Sequence, residues 1–298
     1  MTTYFFFGLL VINQLVNAQQ IDISGIIKDS QTNKIIPFST VELMKKKIGV
    51  AANYQGKFSI QLPYDCMNDT LIISSLGYEI THIIIKSLKS NFSNVSILLD
   101  PMAYSLEEVE IIGIPSGKYR LGNYEDTKKG YGGWMIDKKC QIAVFMDCKK
   151  FRNARIVNAS FFISRKTGKP ETPFRVRVYK IDSKSGNPGD DLLHESIIVH
   201  GSHRGGWLTV DLSKYNLAAP SKGYFIAMEW IDSGEQYYYQ TYINPLGKYV
   251  TNYGPMLSSS KTISTANTWL KFLGQEWNLW SGDKFNNSLI ISEIEILK

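Results

Sequence analysis

The chain has few of the residues that most catalytic or disulfide-built proteins rely on. It contains three cysteines and four histidines in 298 residues. Cys66, Cys140 and Cys148 form an odd set, so at least one thiol stays unpaired and the chain is not a disulfide-stapled scaffold. Cys140 and Cys148 bracket Gln141–Asp147, which reads as one strand. At about 3.3 Å per residue this strand holds them roughly 26 Å apart, far beyond the Cα separation of about 7 Å that a disulfide tolerates. All three read as structural thiols. There is no phosphate loop, no Rossmann glycine pattern, no Gly-x-Ser-x-Gly elbow and no His-x-x-Glu pair. His194 and His200 stand six apart on an expected strand, whereas a zinc-protease helix needs a spacing of four. His200 and His203 flank a turn but have no evident third ligand, and zinc sites use three or four. No metal, no cofactor and no catalytic residue is expected.

Long apolar runs are also scarce. The one prominent run is Tyr4 to Val16, followed by Val16-Asn17-Ala18 before Gln19. It is too short to span a bilayer comfortably and ends in the small residues read by signal peptidase. Residues 1–18 therefore read as a signal peptide, although Met1-Thr2-Thr3 carries no basic side chain. No Cys stands at the cleavage site, so no lipid anchor is indicated, and no transmembrane segment is expected after cleavage. The expected location is exported: periplasm, outer-membrane surface or secreted. The net charge of +6 is uneven. Residues 22–112 hold 8 Lys/Arg against 10 Asp/Glu, and residues 113–298 hold 25 against 17. A basic surplus favours solubility and acidic partners. For an exported chain these are anionic polysaccharide or lipid headgroups, and nucleic acid is not expected.

What the chain has is β-texture. Short apolar/polar alternations separated by turn residues run through residues 22–100. Pro37 is expected to start a strand sending Phe38, Thr40 and Glu42 one way and Ser39, Val41 and Leu43 the other. Tyr54-Gln55-Gly56 reads as a turn before inward-facing Phe58 and Ile60. Leu71–Ser75 reads as a buried strand, and Val95–Leu99 closes the unit. The set Gly25/Ile27/Asp29, Pro37/Val41, Gly56/Phe58 and Ser74/Gly77/Tyr78 resembles the carboxypeptidase-regulatory-like domain, which is widespread in exported proteins of Bacteroidetes. Asn53 stands where that family usually has Asp, and its side chain can cap the same turn. Leu106–Ile111 resembles the segment that often follows the domain. The resemblance implies a seven-stranded transthyretin-like β-sandwich over residues 19–101. Large relatives continue into a TonB-dependent receptor. Fewer than 200 residues follow Ile112, too few for a 22-stranded barrel at about 10 residues per strand, so that reading is set aside.

Residues 102–130, rich in Gly, Ser, Pro and charge, read as a linker. From residue 131 to 298 strands are expected at Arg155–Ser164, Phe174–Ile181, Leu192–Val199, Trp207–Leu212, Gly223–Ile231, Tyr237–Ile243 and Ser288–Leu297. Turn clusters separate them and no long 3.6-residue period appears. The expected fold class is all-β: the seven-stranded transthyretin-like β-sandwich, then a larger jelly-roll-like β-sandwich. Phe174-Arg-Val-Arg-Val-Tyr179, the Gly-x-Pro-Gly loop, Trp207-x-x-Val-Asp-Leu212 and Gly223-Tyr-Phe-Ile-Ala-Met-Glu-Trp230 resemble exported carbohydrate-binding sandwiches.

Candidate ligand groups are aromatic and basic. All six Trp lie beyond residue 133. Alternation sends Phe174, Val176 and Val178 to the core and Arg175, Arg177 and Tyr179 outward. On the next aromatic strand Tyr238, Gln240 and Tyr242 share a face. If the two strands share a sheet, they form a platform for an anionic glycan: rings stack on sugar faces and guanidinium forks suit carboxylate or sulfate. The same faces also read as ordinary cross-strand pairing. Asp182–Asp191 reads as a hairpin turn rather than a calcium loop, and Glu229, Asp232 and Glu235 as a strand end with a polar turn. The leading expectation is a non-catalytic binding or adhesion protein of the envelope that takes glycan. Alternatives are a structural or protein-interaction subunit of an envelope complex, and a hydrolase with an unrecognised loop site.

Overall fold

The computed structural model describes residues 20–88, 92–102, 115–124, 133–134, 140–243, 247–260, 265–281 and 287–297. The expected signal peptide, residues 1–18, lies outside them. The first seven strands are β1 (Gln20–Asp29), β2 (Thr40–Leu43), β3 (Ile48–Ala51), β4 (Lys57–Pro63), β5 (Thr70–Ser74), β6 (Thr81–Ile84) and β7 (Val95–Leu99). Next come β8 (Pro115–Gly122), β9 (Gly133–Trp134), β10 (Cys140–Met146), β11 (Ala154–Gly168), β12 (Phe174–Ile181), β13 (Pro188–Asp191) and β14 (Ile197–Val199). They are followed by β15 (Gly206–Asp211), β16 (Leu217–Ala218), β17 (Tyr224–Trp230), β18 (Tyr238–Ile243) and β19 (Lys248–Tyr253). The last are β20 (Pro255–Ser260), β21 (Thr268–Phe272), β22 (Asn278–Leu279), β23 (Asn287–Ser288) and β24 (Ile290–Leu297). The protein is all-β. Among the described residues helix is confined to 3-10 turns of three or four residues, and no helix is long and apolar enough to cross a membrane.

The first seven strands make two sheets, β4-β1-β7 and β3-β2-β5-β6. Phe58, Ile60 and Leu62 alternate inward along β4 and meet Ile23, Ile27, Val41, Leu71 and Ile73 in one core. β1 runs antiparallel to β4 and parallel to β7. At Gly25 the β7 backbone comes so close that a Cβ would collide with the Val95 carbonyl, so only glycine fits. Asp29 ends β1. Its carboxylate accepts the backbone N–H groups of Gln31 (2.9 Å) and Thr32 (2.7 Å) and the Tyr78 hydroxyl (3.0 Å). Asn53 Oδ1 accepts from the N–H groups of Gln55 and Lys57, at 2.9 and 3.0 Å, so Asn caps the turn as expected.

Phe38 departs from expectation. It does not lie on a strand: β2 begins at Thr40, and Phe38 sits in the left-handed region with φ 59°. Thr40 through Leu43 are all buried, so neither face of β2 is open.

The larger part packs a seven-stranded sheet, β13-β12-β17-β10-β21-β22 with β14 beside β12, against an eight-stranded one. The second has the order β23-β20-β11-β24-β8, with β15 and β16 also on β11 and β9 on β20. Phe174, Val176, Val178, Ile226 and Met228 from the first face Ala159, Phe161, Ile163, Ile290 and Ile294 from the second. The stretch read as a linker contains β8, which pairs along β24 from Gly122 to Pro115. Its Lys-Tyr-Arg content hides it because one face is open. The expected strand Leu192–Val199 is shorter, because Asp191 Oδ1 takes the Leu193 N–H at 2.8 Å and turns the chain; its strand portion is β14. β20, Pro-Met-Leu-Ser-Ser-Ser, was not expected, since buried serines give no apolar signal.

The hydrogen bonds to Asp29, led by that of the Thr32 backbone, hold its carboxyl below the usual aspartate range. The stability it contributes is therefore present above the ordinary aspartate value and is lost as pH falls through the lowered folded value. An NMR titration should report Asp29 below an unstructured aspartate. Asp29→Asn should flatten the acid limb of the stability curve, and an unshifted Asp29 would contradict the assignment.

Candidate functional site

Alternation along β12, β17 and β10 works as expected, but its consequence is different. Register places Arg175, Glu229 and Gln141 in one row across the outer face, and Arg177, Ala227 and Ala143 in the next. The expected open platform is absent. Arg175 is 2% exposed and Glu229 4%. Arg175 Nη1 lies 3.3 Å from Glu229 Oε2, and Nη2 donates to the Phe38 carbonyl at 3.1 Å. Its guanidinium also sits 5.9 Å from the centre of the Phe38 ring. Arg177 Nε lies 3.1 Å from the same Glu229 oxygen and donates to the Tyr179 hydroxyl at 3.0 Å, and Tyr179 donates to Gln141 Oε1 at 2.6 Å. The outer face is covered because the first sandwich docks on it. Gly274 N donates to Glu42 Oε1 at 2.7 Å, and Leu76 packs against the larger core. At Gly49 a Cβ would stand 3.0 Å from Gly274 N.

Burial governs the charges here. It lowers the Arg175 guanidinium, with Glu229 acting the other way. It also opposes the charge on Arg177, yet Tyr179, Glu229 and Asp191 together hold that guanidinium above its ordinary value. Burial raises both the Tyr179 phenol and the Asp191 carboxyl. Both arginines are thus occupied by protein groups, and while Arg175 is sealed, the Arg177 side chain keeps 15% of its surface accessible.

The second half of the expected platform lies elsewhere. β18 pairs with β19 alone, in a two-stranded arm, so Tyr238, Gln240 and Tyr242 do not share a sheet with β12. Tyr238 packs edge-on to Tyr253, at 4.9 Å between ring centres, and Gln240 is exposed. The Tyr242 side chain lies outside the described residues. The other candidates are structural in placement. Asp182 Oδ1 accepts from the N–H groups of Lys184 and Ser185, closing a turn. All three cysteines are buried, and burial with Asp147 pushes the Cys148 thiol up to about 12. Among the described residues no group of three His, Cys, Asp or Glu could hold a metal ion.

An open site lies on the opposite side of the larger sandwich, on the outer face of the eight-stranded sheet. Neighbouring strands β8, β24, β11 and β15 contribute Arg120, Ile291 with Glu293, Asn158 with Ser160, and Trp207 with Thr209. They line a groove of about 440 Å³. Tyr124 closes one side, its ring 6.1 Å from that of Trp207 and inclined by only 21°. Phe162, opposite Trp207 on β11, supports the indole edge-on at 5.3 Å. Ser160 and Thr209 share a hydroxyl hydrogen bond of 2.8 Å on the floor.

Tyr124 comes back over the sheet for a local reason. Gly122 has φ 96°, and a Cβ there would stand 2.8 Å from Met146 Sδ. Buried Asn123 then anchors the turn: its amide donates to Asn267 Oδ1 (2.9 Å) and the Ser288 carbonyl (2.8 Å), and it accepts from Asn267 Nδ2 (2.6 Å). Sequence reading missed this site. Trp207 was visible as one of six Trp, but Arg120 and Tyr124 fell in the expected linker.

Comparison with protein families bears on the other end of the chain. Residues 23–111 match the CarboxypepD_reg-like domain. The match covers under a third of the 298 residues and is to a regulatory-like domain, not a catalytic one. No curated protein matches the chain. Within the CarboxypepD_reg-like domain the motif residues have structural roles: Gly25 at the β1–β7 approach, and Asp29 bonded to Tyr78.

Removing one partner of the covered ion pair leaves the other buried. Arg175→Ala should cost about 3–5 kcal/mol. The paired change Arg175→Met with Glu229→Met should cost less. Thermal denaturation of both variants checks this, and a mild effect of Arg175→Ala would show that Glu229 rehydrates freely.

Proposed function

We propose that this chain is an exported, non-catalytic binding or adhesion protein of the bacterial envelope whose larger sandwich takes a glycan in the Tyr124–Trp207 groove. The observation that carries the reading is the composition of the groove. Two nearly parallel rings offer flat apolar faces to the C–H faces of a sugar. The floor offers hydroxyls from Ser160 and Thr209 and a carboxylate from Glu293, the groups that sugar hydroxyls pair with. Asn158 Oδ1 already accepts the Glu293 N–H at 3.1 Å, which orients its amide N–H groups. A mixed polar and aromatic lining with few fixed groups is what a small-ligand site needs.

A preformed ring pair also limits what binding must order. Trp207 is held by Phe162 and Tyr124 by the Asn123 anchor, so a sugar loses little affinity to fixing side chains. The signal-like first 18 residues support placement in the envelope, and the match at residues 23–111 to a regulatory-like domain is compatible with a binding role.

Glycan-array screening of the full chain, followed by calorimetry on the best binder, tests this. Trp207→Ala should weaken binding by at least about tenfold, equivalent to 1.4 kcal/mol. The circular dichroism spectrum should stay that of the parent. A Trp207→Ala chain that binds as the parent does would remove the groove from consideration.

A further inference from the structure

We infer that the glycan taken by this groove is acidic and that Arg120 reads its anionic group; the inference rests on the glycan reading above. It comes from the pairing of charges along the outer face of the eight-stranded sheet. Arg155 and Glu295, on paired strands, form a closed ion pair at 2.6 Å. Glu293 is taken by Lys118 at 3.6 Å. Arg120 lies directly opposite Glu293 on β8, yet no carboxylate among the described residues pairs with it. Among the described residues an aromatic face lies close to it: the guanidinium carbon sits 5.1 Å from the centre of the Tyr124 ring. Arg120 is also exposed and lines the groove.

A ring beneath a guanidinium does not neutralise it and leaves its N–H donors available to an anion. The guanidinium edge presents parallel donors matching the two oxygens of a carboxylate or a sulfate. The contact with the Tyr124 ring restrains the side chain, so less of its freedom is lost when the anion arrives. The position suits a sugar: a pyranose lying on the Tyr124–Trp207 faces would turn a ring substituent toward Arg120. Lys118 beside it leaves the local balance at one positive charge after Glu293 is counted. The basic surplus of residues 113–298 adds a weak general attraction.

The test uses the full chain and three sets of oligosaccharides: uronates, the same chains with carboxyls reduced to alcohols, and sulfated chains with desulfated counterparts. The expected result is at least about tenfold tighter binding of an acidic form over its neutral counterpart. Arg120→Gln should abolish that preference. Lys184→Gln, an exposed change in the turn between β12 and β13, should leave the preference intact, which separates Arg120 from bulk charge. The uronate and sulfated arms identify the anion, and preference in either one supports the inference. Equal affinity for acidic and neutral forms, or a preference that survives Arg120→Gln, would overturn it while leaving the glycan reading standing. Failure to bind any member of either class would instead remove the glycan reading itself.

Discussion

The arrangement of this protein depends on one buried guanidinium. Strand alternation puts Arg175 on the outer face of the seven-stranded sheet, where it would ordinarily meet water. It is enclosed instead, and an enclosed charge persists only if it is paired and hydrogen-bonded. Its partners come from two places: Glu229 of the neighbouring strand supplies charge, and the Phe38 carbonyl of the other sandwich supplies an acceptor. The two β-sandwiches therefore complete each other's polar groups. The Gly274–Glu42 bond repeats the theme in the same direction, since a backbone donor of the larger part again meets an acceptor of the smaller, here a carboxylate. Phe38 holds a left-handed backbone that bulky residues avoid, and such local strain persists where surrounding contacts fix it.

Closing one outer face determines which sheet surface of the larger sandwich stays accessible. The larger sandwich has two outer faces. One carries Arg175, Arg177, Tyr179 and Glu229 and is largely covered, at Arg175 by Phe38 of the smaller sandwich and at Tyr179 by Trp277. The other keeps an accessible groove whose walls are set by backbone devices rather than by a mobile loop. Gly122 supplies the turn, and the reciprocal Asn123–Asn267 pair ties that turn to the far sheet edge. Buried amides of this kind are satisfied or they are costly. Here they place a tyrosine ring over a sheet.

The smaller sandwich was legible because its signals are local. Gly25, Asp29, Gly56 and Tyr78 stand at turns and close approaches that few other residues tolerate, and period-two burial along β4 is written directly in Phe58-Ser-Ile60-Gln-Leu62. The all-β character of the rest was legible for the same reason. The covering of the platform was not. Arg175 and Phe38 are 137 residues apart, and nothing in Phe-Arg-Val-Arg-Val-Tyr says whether its polar face meets water or another sheet. β8 and β20 escaped because a half-open Lys/Arg strand and a serine-rich buried strand both lack an apolar period.

Arginines on the outer sheet faces thus have two different fates. Arg175 and Arg177 each find a carboxylate on an adjacent or nearby strand and become part of the frame. Arg120 faces Glu293 across its own strand pair, but Lys118 takes that carboxylate, and the guanidinium turns to a ring instead. The difference lies in the allocation of acids, not in the arginines. A β-sheet surface assigns these partners by register, so a charge surplus of +8 in the second region need not be spread evenly over its surface. Where register leaves a cation without an acid and an aromatic residue within reach, the cation is stacked and aimed but not neutralised. That physical state distinguishes a recognition group from a structural one.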